Sequence, residues 1–545
     1  MPNKKLATFL VFSLTTIFYT ITLMPSLAWG DGTKLQGDAI LGESFILAEM
    51  SEDEFSPDPY IFSRVGVAAW DHPLYIMLAY TLVKAFPFVD SLWLVNFISA
   101  IFGAASIALV FLLCHQYTGS ILASSYASFS LAVSHTFWWN SSTPEVYTLF
   151  TFLLLASIYF CDRFETTHKY SALGYSAVFL GLAASNHLLA LLAIPAVVLY
   201  YFLSRRDREY SAFKLQNLAL PVLGFFSGFM VYGIQFVRLS RNFSLGEIMG
   251  PVVGSAFLSQ LWKLTPALFG ESLVNYLFFL IVQFGPIGVV FGILGIKQIF
   301  RGGDLYSRKL IAFLVVYTVF GIFYKVTDQF AFFMTSHLFW AMIMGIGAHQ
   351  FLSMLSEKMR LAVAGILALT ILGTPFFYSA LPDLAKHTGM RDASLGIPQI
   401  GTGLRDGLAY YINPNKRGDF SAYNFGYQTL EGMAPNSIVI AEWYTDTDEY
   451  FVLRYFTKVK EMRSDVTILG WPTQNPFAFD PRLVNGVIKD SIAQQPIYLA
   501  SLSDRFYEAS KLVETYCIVP ESNLYRLYQE EQSSQQCLGY DYVTE

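Results

Sequence analysis

Long apolar stretches recur through the first 380 residues and are separated by short polar segments. A run of about 20 apolar residues is long enough to cross the hydrocarbon core of a bilayer as a helix. The pattern therefore predicts a mainly α, polytopic membrane protein with about eleven transmembrane helices. The predicted spans lie near residues 7–29, 91–113, 119–137, 145–161, 170–185, 187–203, 216–238, 275–297, 310–325, 329–350 and 361–380.

The pattern changes in two other places. Residues 73–88 are amphipathic and are interrupted by Lys84 and Pro87, which favours an interfacial or re-entrant helix over a full span. After residue 380, short apolar strands alternate with amphipathic helices, which is typical of a small α/β domain with a parallel sheet. We therefore predict a transmembrane domain over 1–380 and an α/β domain over 381–545. The strands are expected at 437–443, 465–470 and 496–501, and the helices at 447–459 and 503–516.

The distribution of Lys and Arg predicts the orientation. These residues cluster in alternate loops, and short loops rich in Lys and Arg stay cytoplasmic. The amino terminus is therefore expected inside the cell, with the first outer loop (about 30–90) and the carboxyl-terminal domain outside. The first apolar run is interpreted as a retained anchor and not as a cleaved signal. When this run is counted as a span, all the loops rich in Lys and Arg fall on the same side of the membrane. Both a bacterial cell membrane and the endoplasmic reticulum fit this topology.

Composition supports a membrane protein and excludes some functions. Only 14% of residues are charged, compared with about 25% in soluble domains. The net charge of −6 argues against a nucleic-acid partner. No Gly-rich phosphate loop and no cluster with metal-ligand spacing is found, so neither a nucleotide cofactor nor a metal is indicated. Cys517 and Cys537 could form a disulfide if the tail lies in an oxidising compartment.

Two carboxylates near the end of the first apolar run are candidate general bases. That run stops at Asp31, and Glu43 follows in a stretch that resembles an amphipathic helix. Burial beside an apolar site raises the pKa of a carboxylate and makes it a better proton acceptor. Either residue could therefore deprotonate a hydroxyl at the membrane surface.

Other polar residues are predicted on the same face as Asp31. His72 precedes a proline at the start of the amphipathic segment, Glu145 begins a span, and Asn186 and His187 separate two apolar runs. Polar groups near lipid are costly unless they have partners or a function. We interpret these four residues, with the outer cation Arg64, as candidates for binding a substrate. A helix cap or a structural role explains each of them separately, so their convergence is the stronger argument.

Several motifs in a fixed order resemble one known family. They are TLMPSLAWGD (22–31), HPLY (72–75), FWWNSSTPEVYTL (137–149) and GLAASNHLLALL (181–192). The order is similar to that of the multipass family that includes transmembrane protein 260, an O-mannosyltransferase, within the GT-C glycosyltransferase superfamily. Later segments, at 325–347 and 436–456, are also similar, so the resemblance covers most of the chain.

The resemblance implies an inverting glycosyltransferase that uses a polyprenyl-phosphate sugar and whose base is a carboxylate of the first outer loop. Asp31 matches that base, and His72, Asn186 and His187 match family motifs. The acceptor would be a hydroxyl of a protein or glycan outside the cell. The chain departs from the family at DHPLY (71–75), where a longer motif is usual, and this departure keeps Glu43 as an alternative base.

The residues leave two other classes of protein open. A transporter or flippase of lipid-linked sugars would bind a similar lipid without covalent change, and a scaffold would only recruit partners. Transporters usually carry ionisable groups at mid-bilayer or have pseudo-symmetric halves. Here the unusual polar residues collect at one face, which favours the transferase.

Overall fold

The computed structural model describes residues 4–42, 72–204, 219–241, 244–246, 265–302, 307–326, 328–397, 399–442, 449–471, 481–529 and 537–543. Helices dominate these residues. In the first part of the chain they are α1 Lys4–Ile21, α2 Asp31–Leu41, α3 Pro73–Ala85, α4 Ser91–Thr118, α5 Ile121–Ala132, α6 His135–Ser142, α7 Tyr147–Thr167, α8 Tyr170–Asn186, α9 Ala193–Ser204, α10 Ala219–Leu239, α11 Pro266–Gly302, α12 Arg308–Phe323, α13 Gln329–Phe332, α14 Met334–Ser353 and α15 Glu357–His387.

Five of these helices are long and apolar enough to cross a membrane, namely α1, α4, α7, α11 and α15. Shorter apolar helices stand between them, and many large apolar side chains are exposed along α1, α10 and α15, as expected for surfaces that face lipid. The protein is therefore an integral membrane protein. The prediction of about eleven spans is not confirmed.

Local signals explain why some predicted spans are divided. The apolar run 119–137 forms α5 and α6, which are separated at Val133 and Ser134. The run 187–203 begins with a short 3₁₀ helix, Leu188–Leu192, because the His187 side chain caps it by accepting the Leu189 N–H. Within α11, Gly285 has φ 64°, which breaks the helix just before Pro286. Hydropathy alone does not show such breaks.

The helices place one end of the bundle next to the carboxyl-terminal part of the chain. We call this end the site face: α1 and α8 end there, and α4 and α7 begin there. We call the opposite end the far face. Close packing positions α8, because Gly181 lies against the main chain of α10, where an added Cβ would approach the Phe225 carbonyl oxygen to 2.1 Å. Small residues permit this approach between apolar helices.

The carboxyl-terminal part contains a five-stranded mixed sheet with strand order β2-β1-β3-β5-β4. The three predicted strands are present as β1 Ile438–Glu442, β2 Thr467–Trp471 and β3 Ile497–Leu499, and they pair in parallel. Two strands that were not predicted, β4 Tyr516–Glu521 and β5 Leu524–Gln529, join antiparallel. The helices of this part are α16 Gly407–Ile412, α17 Ser421–Gly432, α18 Glu449–Arg454, α19 Pro481–Ser491, α20 Asp504–Tyr507 and α21 Ala509–Thr515.

Two details of the tail refine the predictions. Cys517 and Cys537 form a disulfide. The helix expected over 503–516 is divided into α20 and α21 at Glu508, whose φ is 48°.

The sheet region packs directly on the segment that joins α1 to α2. Leu27 and Trp29 share a hydrophobic cluster with Phe425 and Val452. The Trp29 Nε1–H donates to the Ser421 Oγ at 2.9 Å. The division predicted at residue 380 stays a prediction: α15 continues to His387, and the residues after it share a core with the first loop.

Candidate functional site

The site face brings together most of the residues predicted to carry chemistry. Asp31, His72, Glu145, Asn186 and His187 all lie there, on the ends of α2, α3, α7 and α8. Glu43 and Arg64 lie outside the described residues.

The chain between α1 and α2 is held rigidly, and this fixes Asp31. Asn96 of α4 donates through Nδ2 to the carbonyl oxygens of Met24 and Ser26, at 2.9 and 3.0 Å. Gly30 then adopts φ 62°, a left-handed value that favours glycine, and α2 begins at Asp31. The carboxylate therefore stands in the first turn of a helix, where the exposed N–H groups favour a negative charge.

The Asp31 side chain is accessible to water although protein surrounds it closely. Desolvation by these surroundings raises the pKa of Asp31 above its ordinary value, and the nearby Lys34 partly opposes the increase. Lys34 itself forms an ion pair of 2.6 Å with Asp38. Among the described residues, no hydrogen bond or ion pair engages the Asp31 carboxylate. An exposed carboxylate with a raised pKa and no protein partner can accept a proton from a bound molecule.

Glu145 lies at the start of α7, and its main chain is clamped to α4. The Ser99 Oγ donates to the Glu145 carbonyl oxygen at 3.0 Å and lies 2.9 Å from the Glu145 nitrogen. The pKa of Glu145 is well above its ordinary value, first because of burial and then because of the negative charges of Asp31 and Asp328. The charges of two other carboxylates therefore act on Glu145 at the site face.

Asp328 was not selected from the sequence. It lies between α12 and α13 and has an exposed side chain. The signal that could have identified it is its position in VTDQF (326–330), a polar interruption between two apolar runs on the predicted outer side. That is the same signal that selected Asn186 and His187.

Asn186 connects the histidines to Glu145. Its side chain is buried and donates through Nδ2 to the carbonyl oxygen of Val146, next to Glu145, at 2.9 Å. The main-chain carbonyl oxygen of Asn186 accepts a hydrogen bond from His72 Nδ1 at 2.7 Å. Asn186 therefore holds the end of α8 against the start of α7 and orients His72.

The two histidine rings stack on each other and are flanked by aromatic side chains. The centroids of His72 and His187 are 5.1 Å apart, and the rings are inclined by 27°. The His187 centroid lies 5.4 Å from that of Tyr147 and 6.3 Å from that of Phe332. Burial lowers the pKa of His72 to about 4 and that of His187 well below its ordinary value. Both rings are therefore neutral at neutral pH.

The arrangement combines a proton acceptor with groups that suit a neutral, hydroxyl-rich ligand. Within the described part of the chain, no three His, Cys, Asp or Glu side chains are placed so as to hold a metal ion. Lys325, between α12 and α13, forms an ion pair of 2.6 Å with Glu271. Lys34 is the described cation that influences both Asp31 and His72.

The chain is similar in sequence to known proteins. Residues 71–210 match the family described as "Protein O-mannosyl-transferase TMEM260 N-terminal domain". A curated relative, Protein O-mannosyl-transferase tmem260 of Dictyostelium discoideum, is 22% identical over 600 aligned positions, which cover 95% of this chain and 67% of the relative.

Solved structures show the same fold at lower identity. ArnT from Cupriavidus metallidurans bound to undecaprenyl phosphate gives a TM-score of 0.57 at 12% identity, and the match covers 95% of this chain and 97% of ArnT. The apo state of that protein gives 0.56 at 11% identity. Together these findings confirm the predicted resemblance to the transmembrane protein 260 family and the class of enzyme, a glycosyltransferase.

Proposed function

We propose that this glycosyltransferase moves a sugar from a polyprenyl-phosphate donor in the membrane to a hydroxyl of an extracytoplasmic protein or glycan, with Asp31 as the base. The observation that carries the proposal is the state of Asp31. Its carboxylate is exposed, has a raised pKa, acts electrostatically on Glu145 and has no protein partner among the described residues. Mannose is the sugar we propose first, since the curated relative is named an O-mannosyl-transferase.

The reaction follows from the position of a base next to a lipid-facing bundle. Asp31 takes the proton of the acceptor hydroxyl while the hydroxyl oxygen attacks the anomeric carbon. The bond from that carbon to the phosphate oxygen breaks, and the polyprenyl phosphate leaves with the bonding electrons. Attack opposite the leaving group inverts the anomeric centre. A positioned base contributes about 10²–10⁴-fold in rate.

The donor class is supported by the fold and by the chemistry of the site. The neighbour of known structure was solved with undecaprenyl phosphate. A lipid phosphate already activates the sugar, so the enzyme needs no nucleotide pocket and we propose no cofactor. Lys34 is the described cation placed to attract the phosphate, and Arg64 remains a candidate from the sequence.

The orientation is part of the proposal. The alternation of Lys and Arg between loops supports an amino terminus in the cytoplasm. The site face, the first loop and the sheet region would then lie outside the cytoplasm, where a secreted acceptor is found. The far face, with the carboxyl ends of α7 and α9, would face the cytoplasm.

Transfer in proteoliposomes tests the proposal. The purified protein is supplied with polyprenyl-phosphate mannose and peptides that contain serine and threonine, and both glycosylated peptide and released polyprenyl phosphate are measured. We expect transfer by the natural protein and its loss in the Asp31→Ala, Glu43→Ala double variant. Full activity of that double variant would refute the assigned base.

The same vesicles test the alternative, a flippase of lipid-linked sugars. Movement of intact donor between leaflets, without release of polyprenyl phosphate, would replace the transferase with the transporter. Mass spectrometry of extracellular glycoproteins from cells with and without the protein would then identify the natural acceptor.

A further inference from the structure

The hydrogen bonds of the two stacked histidines determine which ring nitrogen of each carries the proton. His72 Nδ1 lies 2.7 Å from the carbonyl oxygen of Asn186, and a carbonyl can only accept, so this nitrogen must be N–H. His187 Nδ1 accepts the main-chain N–H of Leu189 at 3.1 Å, so this nitrogen must carry a lone pair. In the neutral rings, His72 Nε2 is therefore an acceptor and His187 Nε2 is a donor.

These two Nε2 atoms are available to a ligand. Both Nδ1 atoms point to the main chain of residues 186–189, so both Nε2 atoms face away from it. Neither ring is fully buried, and neither Nε2 makes a hydrogen bond within the described residues. His72 is also held at φ 41°, a left-handed conformation that is uncommon for such a residue. Unusual backbone conformations of this kind cluster at functional sites.

We propose that His72 and His187 together recognise one hydroxyl group on the sugar of the lipid-linked donor by hydrogen bonds. Tyr147 and Phe332 would form the apolar wall beside it. The inference deepens the proposed function and rests on it. His72 Nε2 accepts the hydroxyl hydrogen, and His187 Nε2–H donates to the hydroxyl oxygen. The pair thus determines which sugar is accepted, while Asp31 carries the proton transfer.

The complementary pair fits a hydroxyl better than a phosphate. A hydroxyl both donates and accepts, so it satisfies both nitrogens at once. An ionised phosphate only accepts, so it would face the lone pair of His72 Nε2 without a hydrogen between them. Two neutral rings also add no positive charge to attract the phosphate. The aromatic neighbours suit the apolar face of a sugar ring.

Binding of altered donors tests this inference. Polyprenyl-phosphate mannose analogues that lack one hydroxyl, or carry fluorine in its place, compete with the radiolabelled parent donor for the protein in vesicles. For one ring position, loss of the hydroxyl should weaken binding about 10- to 100-fold, because both imidazole nitrogens lose their partner. Fluorine cannot donate, so it should also fail to satisfy His72.

Two variants suit the local backbone conformation and remove the imidazole Nε2 atoms that would contact the hydroxyl. His72→Asn suits the left-handed conformation, since asparagine adopts it readily. His187→Asn keeps an oxygen that can cap Leu189 N–H, since asparagine is a favoured cap. In each variant the penalty for removing the selected hydroxyl should fall to about threefold or less, as expected when the hydrogen bond it reports is absent. His168→Asn is the matched control, because His168 is also left-handed (φ 54°) but is exposed at the far face.

The outcomes separate this inference from the proposed function. If every hydroxyl penalty persists unchanged in both variants, the assignment of the histidines is wrong even though transfer still occurs. If the penalty disappears as expected but the natural protein releases no polyprenyl phosphate, the role of His72 and His187 in recognising the sugar is supported and the transferase function is refuted. A penalty that also disappears in His168→Asn would show a general loss of structure and would overturn the inference.

Discussion

The two ends of α7 carry acidic residues in opposite states. At the far face, Lys309 of α12 contacts both Asp162 and Glu165, with 2.7 Å to the Glu165 carboxylate. The Tyr117 hydroxyl donates to Asp162 at 2.6 Å, and the Tyr200 hydroxyl donates to Glu165 at 3.1 Å. Every carboxylate of this cluster has a cation and a hydroxyl as partners.

At the site face, the carboxylates of Glu145 and Asp31 form no ion pair within the described residues. Negative neighbours raise the pKa of Glu145 further instead of lowering it. A compensated cluster holds helices together, whereas an uncompensated one retains the ability to exchange protons with a ligand. The number of charges at a site therefore says little about its function, whereas the presence or absence of partners for those charges says more.

The largest expected effect comes from neutralising Asp31, the proposed base at the site face. Asp31→Asn should lower the transfer rate about 10²–10⁴-fold, because the amide cannot accept the proton of the acceptor hydroxyl. The rate is measured with polyprenyl-phosphate mannose in proteoliposomes, and the unfolding temperature is measured alongside. Asp383→Asn, an exposed carboxylate on α15, is the control and should leave both unchanged. A slow Asp31→Asn protein that also unfolds early would place Asp31 among the structural charges.

Neutralising the cation at the far face should lower the stability and leave the transfer rate unchanged, which is the reverse of the effect expected for Asp31. Lys309→Met leaves two carboxylates without their cation and should cost about 3–5 kcal/mol in the free energy of unfolding. Thermal unfolding in detergent measures the loss, and Lys358→Met, an exposed lysine at the start of α15, is the control. The rate per folded molecule should stay near that of the natural protein. A stable but inactive Lys309→Met protein would contradict the division of roles.

The sequence predicts much of the site face because the relevant signal is local. A polar residue that interrupts apolar runs, such as Asp31 or His187, can be assigned to a side of the membrane by counting spans and charges. The far cluster could not be predicted in this way. Asp162 and Lys309 are 147 residues apart, and their contact depends on how α7 packs against α12.

The sheet shows the same limit. Short apolar runs identify β1, β2 and β3. The sequence does not predict β4, which begins where the helix expected over 503–516 ends, or β5, whose apolar residues are interrupted by Arg526. The breaks in the spans also depend on single residues, such as Gly285 and the capping side chain of His187. Periodicity therefore reveals elements, whereas caps and distant partners decide their ends and contacts.

Lys416 is intermediate between the ion-paired Lys309 and the unpaired carboxylates of the site face, because it is buried but has no carboxylate partner among the described residues. Lys416 is buried, and its Nζ lies 4.0 Å from the centre of the Tyr410 ring and 5.7 Å from that of Trp139. No described carboxylate lies within ion-pair distance. Burial lowers the pKa of Lys416 from its ordinary value of 10.5 to about 7.

Lys416→Met should therefore stabilise the protein by a few kcal/mol at pH 6, where the natural lysine is charged in both the folded and unfolded states, because each unit by which burial lowers the pKa corresponds to about 1.4 kcal/mol. Between pH 7 and pH 10 the unfolded chain binds the extra proton, so the natural protein gains stability as pH rises and the advantage of methionine shrinks. Unfolding at pH 6 and pH 9 measures this trend. An advantage that grows with pH would show that Lys416 is compensated, as Lys309 is.

The smallest effect concerns the pH dependence of the base. As the proposed base, Asp31 would act in its ionised form, so the rate should fall as pH decreases through its raised pKa. Lys34 lowers that pKa, so Lys34→Gln should move the acid limb of the pH–rate profile to higher pH. Glutamine can still donate to Asp38, which limits the loss of stability. Glu145→Gln is the informative companion, because burial first, and then the charges of Asp31 and Asp328, raise the pKa of Glu145. If Asp31 is the group that titrates, a neutral amide at position 145 should move the acid limb less than Lys34→Gln does. A shift as large as that of Lys34→Gln would mean that Glu145, and not Asp31, titrates in the active range.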